Sequence, residues 1–160
     1  MDWGTALMAI EILGALVVLA VLGRWLRSKA ASVDWIALDD VEDRVRAFLA
    51  HRPGDGSFIV LLTDRSGSDG GPSFAQLSIE NNQPGMDHVF TAELNQQTSE
   101  AFKDLLESHG ETVSQCNAND VAYLRAEVED GPQWIHRVLR EVHGLSPDAT
   151  VSVIEEHVAR

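Results

Sequence analysis

The side chains able to do chemistry in this chain are scattered. Six histidines stand at 51, 88, 109, 136, 143 and 157, with one cysteine at 116. A zinc site needs ligands at short, fixed spacing, as in HExxH or a pair of cysteines, and neither pattern occurs. His136 and His143 share a helix face but stand two turns apart, too far for one ion. The histidines read instead as solvent-exposed or helix-terminal groups. His109 and His143 each precede a glycine at a helix end, where positive charge is favourable. Cys116 has no local base or oxyanion donor and reads as a small apolar group. Ser66 to Gly71, SGSDGG, is glycine-rich, but a strand follows rather than a helix, no lysine is present, and Asp64 and Asp69 repel phosphate. That loop reads as a mobile hairpin tip. Asp39-Asp40, Glu129-Asp130 and Glu155-Glu156 lack the spaced ligand loop of a calcium site. No catalytic, cofactor or metal site is expected, and the chain reads as a protein that is not an enzyme.

Glu11 is the sole charge in Thr5 to Gly23, TALMAIEILGALVVLAVLG, nineteen positions long. At about 1.5 Å per residue such a helix matches the roughly 30 Å hydrocarbon core of a bilayer, so a single transmembrane helix is expected. A cleaved signal would need a basic leading segment and a small-residue cleavage site, which are missing. Arg24, Arg27 and Lys29 follow the run and only Asp2 precedes it, placing the N-terminus outside and the C-terminal part in the cytoplasm. Trp3 and Trp25 bracket the run at interfacial depth. Gly4, Leu7, Glu11, Gly14, Ala15 and Val18 form one helical stripe, small residues around one carboxyl that costs on the order of 2–3 kcal/mol in hydrocarbon. That stripe is expected to pack against an integral membrane protein complex.

Residues 1–32 carry three basic and two acidic side chains, so of the chain's −13 the remaining 33–160 hold −14. A domain so acidic is repelled by nucleic-acid phosphates and anionic lipid, which excludes nucleic acid as a partner and leaves solubility or a basic protein surface. One cysteine permits no intrachain disulfide.

The elements that would position these residues follow from periodicity and punctuation. Val33, Ile36, Leu38, Val41, Val45, Phe48 and Leu49 recur at helical spacing, predicting a helix from about 33 that Pro53-Gly54-Asp55-Gly56 ends. SFIVLLT at 57–63 predicts a strand central in its sheet, and Phe74 to Ile79 a returning strand after the polar loop 64–72. Asn81 to Gly85 predicts a turn, 86–94 a third strand, and 97–109 a helix capped by Thr98 or Ser99. Short strands at 112–115 and 121–128, a helix at 131–143 and a last strand at 150–154 complete the order. The expected fold is α+β: an N-terminal single transmembrane helix, 1–32, then an α+β sandwich with an antiparallel sheet, 33–160.

This arrangement, with WIHRVLREVHGLSPDATVSV at 134–153 and FAQLSIENN at 74–82, resembles the TY-Chap group of small actinobacterial domains. The resemblance covers about 33–157 and implies a fold like that of type III secretion chaperones and a role in binding proteins. The span and the glycine-rich loop depart from that pattern. The expected function is a non-catalytic accessory subunit of a bacterial respiratory or secretion complex, with a cytosolic interaction domain. A membrane-tethered chaperone or adaptor for a client protein is the alternative, and a small-molecule enzyme the remaining one.

Overall fold

A computed structural model describes residues 34–63, 73–90, 93–118 and 120–158. Its elements are β1 (Asp34–Ala37), α1 (Val41–Ala50), β2 (Phe58–Thr63), β3 (Ser73–Glu80), β4 (Gln83–Val89), α2 (Glu93–Gln97), α3 (Ser99–Glu107), β5 (Val113–Ala118), β6 (Val121–Glu127), α4 (Gly131–Arg137, continued by a π turn over Val138–Val142) and β7 (Thr150–Glu156). The seven strands form one sheet in the order β1-β7-β2-β3-β4-β6-β5, every neighbouring pair antiparallel.

The alternation of each strand decides which side is covered. Ile59 and Leu61 of β2, Ala75, Leu77 and Ile79 of β3, Met86 of β4, Ala126 of β6 and Val151 and Val153 of β7 point to one face. There they meet Val41, Val45 and Phe48 of α1, Phe102 and Leu106 of α3, and Trp134, Ile135, Val138 and Leu139 of α4 in a single core. Gly131 lets α4 approach closely, because a Cβ there would stand 2.3 Å from Leu77 Cδ1. Asp130 caps this helix, accepting a hydrogen bond from the Gln133 N–H at 3.2 Å.

Two expectations are corrected here. The transmembrane helix, and with it the membrane and single-pass reading of the fold, is not found: among the described residues no helix is long and apolar enough to cross a membrane. The longest, α4 with its π turn, has seven plus five residues, at most about 18 Å against the roughly 30 Å of hydrocarbon, and it is amphipathic, with one stripe buried on the sheet. The residues on which that reading rested, Trp3, Gly4, Leu7, Glu11, Gly14, Ala15, Val18, Arg24, Trp25, Arg27 and Lys29, lie outside the described residues. The second correction is local. The helix expected from residue 33 begins only at Val41, because Asp34 to Ala37 pair with Thr150 to Val153 as an edge strand and Leu38 to Asp40 make a 3-10 turn. The i, i+3, i+4 spacing cannot exclude a short strand ahead of a helix, since Ile36 and Leu38 serve either.

Smaller shifts share that cause. The turn after β3 contracts to Asn81 and Asn82, both at positive φ (52° and 60°), as a two-residue hairpin turn requires, so β4 starts at Gln83. The helix expected over 97–109 is α3, and the third strand expected to run to 94 ends at Val89, with the short α2 following it just ahead of α3.

Candidate functional site

The sheet face opposite the core carries no helix among the described residues. Phe58, Val60 and Leu62 of β2, Phe74 of β3, Val89 of β4 and Ile154 of β7 are half-buried on it, and Trp35 of β1 is 51% exposed. Register aligns several of these into a row across the strands. Trp35 stands level with Ser152, Ser152 with Leu62, Leu62 with Phe74, and at the other end Val89 with Tyr123 and Tyr123 with Cys116. At about 4.8 Å per strand the row is about 29 Å long. Its border toward the β3–β4 turn is acidic, with Glu156, Glu80 and Glu127 on the same face.

Under that border lies a polar knot that local sequence reading did not find. Arg125 of β6 is 6% exposed and Asp87 of β4 is 3% exposed. Arg125 Nη1 donates to Asp87 Oδ1 at 2.7 Å and to Ser78 Oγ at 2.8 Å, Nη2 donates to the Gln83 carbonyl at 3.3 Å, and Nε lies 3.5 Å from Glu80. The Ser78 hydroxyl and the Gln76 amide donate to the other Asp87 oxygen, and Tyr123 Oη donates to Glu80 at 3.3 Å. Burial pushes the Asp87 carboxyl above its ordinary value, while the donors from Ser78, Arg125 and Gln76 hold it down. Burial and the Glu80 carboxylate push the Tyr123 phenol up to about 12. Gly85 makes room for the guanidinium, since a Cβ there would stand 2.4 Å from Arg125 Cζ.

The alternation of FAQLSIE and VAYLRAE did carry a signal. It places Gln76, Ser78 and Glu80, and likewise Tyr123, Arg125 and Glu127, on single faces. What joins the two sets is β4 between them, whose register puts Asp87 level with both Gln76 and Arg125.

Beside the knot is a groove of about 600 Å³ lined by Glu80, Gly110, Glu111, Thr112, Ser114, Cys116, Arg125 and Glu127. Its guanidinium is already taken by Asp87, Ser78 and Glu80, and three glutamates face the space, so an anionic ligand would meet net repulsion. No imidazole lines it, which leaves Cys116 without a base for nucleophilic chemistry there. Among the described residues no group of three His, Cys, Asp or Glu could hold a metal ion.

The exposed or helix-terminal expectation holds for most of the histidines, with His143 capping the end of α4, but not for His88 in the middle of the sheet. His51, His109 and His157 are on the surface, and His136 lies 3.6 Å from Glu42. His88 and His143 are buried, with ring centroids 5.9 Å apart, and His88 stacks on Phe102 at 4.7 Å. His88 Nε2 is 2.6 Å from the Asn95 carbonyl and donates to it. Alternation puts His88 on the core side with Met86, which residue type alone did not suggest.

Burial lowers the His88 pKa below 6.5, opposed by the Asn95 contact. The unfolded chain then binds a proton that the folded one refuses. Stability from this group is complete above the unfolded value and falls, by up to about 1.4 kcal/mol per pH unit, as pH drops through it toward the folded value. Asp87, with its raised pKa, contributes with the opposite sign at pH values above the ordinary carboxyl range. The test is therefore a comparison: urea midpoints measured from neutral to mildly acid pH should fall less steeply for His88→Phe than for the natural protein. Parallel curves would place the proton uptake elsewhere.

No protein-family model, curated protein or solved structure matches this chain.

Proposed function

We propose that residues 33–160 form a non-catalytic protein-interaction domain that docks a partner across the open sheet face. The observation that carries this reading is the apolar row from the exposed Trp35 through the half-buried Leu62 and Phe74 to Val89, on a face that carries no helix among the described residues. A face of this kind is where an interaction site is expected, because apolar surface in contact with water is unfavourable and its burial drives association. Charge specifies the occupant. The row is bordered by Glu80, Glu127 and Glu156 on a domain of charge −14, so the partner presents apolar side chains flanked by Lys or Arg. An accessory subunit in a larger assembly and an adaptor for a client protein both use such a face.

The test is affinity purification of the full-length protein. A specific partner should stay bound to the natural protein and to Arg140→Ser, altered on the helix side. It should be lost at least about tenfold from Trp35→Ser and Leu62→Glu, which change half-buried or exposed positions. Its binding should also weaken with added salt and in Glu127→Gln. Retention by both open-face variants would sink the proposal.

A further inference from the structure

The sheet has two edges, and they are built differently. β1 is four residues long, carries Asp34, and passes at once into the 3-10 turn, so little edge is left for another chain. β5, VSQCNA, is six residues long, has no charge, proline or glycine, and pairs with β6 through six successive positions without a bulge. Ser114, Gln115, Asn117 and Ala118 are exposed. Natural sheets blunt such an edge with a charge, a proline, a bulge or a cover, and among the described residues β5 has none of these.

The outward groups can be assigned. The Ala122 carbonyl accepts from the Phe90 N–H at 3.2 Å and the Val128 N–H donates to the Pro84 carbonyl at 3.1 Å, so even-numbered residues of β6 turn their main chain toward β4. Odd-numbered ones therefore face β5, where Val121, Tyr123 and Arg125 stand level with Ala118, Cys116 and Ser114. Val113, Gln115 and Asn117 are left with N–H and C=O directed away from the sheet.

We propose that two copies of this chain pair through β5, antiparallel about a two-fold axis at Gln115, joining their sheets into one. In that register Gln115 faces its own copy, Val113 faces the partner's Asn117, and Ser114 faces the partner's Cys116. The outward groups then make about six hydrogen bonds. A second copy fits because every residue brought opposite is uncharged and the register is self-complementary, as an isologous contact demands. Elsewhere a chain of charge −13 repels its own copy; β5 is a strip where two can meet.

The experiment uses the full-length protein in light scattering and thiol cross-linking. The natural protein should be a dimer whose dissociation constant falls as salt screens the like charges, opposite in sign to binding of a basic partner on the open face. Gln115→Pro, which removes an outward N–H from each copy, and Gln115→Lys, which sets like charges face to face, should each weaken the dimer at least about tenfold. Far-UV circular dichroism should be unchanged in at least the lysine variant. Ser114→Cys should cross-link rapidly under mild oxidation with copper phenanthroline, because non-hydrogen-bonded pairs lie about 4.5 Å apart at Cα. Adding Cys116→Ala should abolish that cross-link. A monomeric natural protein, a dimer indifferent to both Gln115 variants, or a cross-link that survives Cys116→Ala would each overturn the proposal.

Discussion

Replacing Asp87 with alanine is expected to destabilise the domain by about 3 kcal/mol, far more than an average substitution. The carboxylate is 3% exposed and accepts from Arg125, Ser78 and Gln76, so its loss strands a guanidinium that is itself 6% exposed. Glu80 compensates in part at 3.5 Å, but it is half in solvent and reaches only Nε. Removing both partners should be gentler, because the double variant Asp87→Ala with Arg125→Leu buries no unpaired charge. Chemical denaturation of the natural protein, the two single variants and the double variant completes the cycle. A single-variant loss below about 1 kcal/mol would mean that water reaches the pair and screens it.

Phe102→Ala should cost about 3–5 kcal/mol, the range for deleting a buried aromatic ring. Phe102 is fully buried and its ring lies 4.7 Å from His88 at 21°, so truncation opens a cavity beside an imidazole whose pKa burial lowers. The cavity has a second, measurable consequence. Water admitted there would relieve the desolvation of His88, and its pKa, followed by NMR of the ring protons, should rise toward the ordinary value. A large loss of stability with an unmoved His88 titration would show that the site collapses and stays dry.

These effects sit at positions whose importance depends on neighbours distant in sequence. Ser78 and Arg125 are 47 residues apart, and Asp87 and Arg125 are 38. Each reads in sequence as one polar side chain in an alternating strand, of the kind that usually faces water. Only antiparallel pairing on both sides of β4 stacks them, and only then does burial turn three ordinary polar residues into a linked cluster. The same holds for Asp34 to Ala37, whose pairing with β7 draws the start of an expected helix into the sheet.

Local chemistry in the sequence determined where strands 58–63, 73–80 and 121–127 run, because alternation and turn residues act within a few positions. It also determined that α1, α3 and α4 each have one apolar stripe, that 33–160 is strongly acidic, and that no familiar ligand spacing is present. Tertiary structure alone decided strand order, with β7 placed between β1 and β2, and hence which face and which edge stand without a cover among the described residues. Register in a sheet is set by the contacts of whole strands, and a shift of one residue exchanges its faces. The row from Trp35 to Cys116, the buried Arg125–Asp87 pair and the outward groups of β5 all follow from that register, which no window of adjacent residues contains.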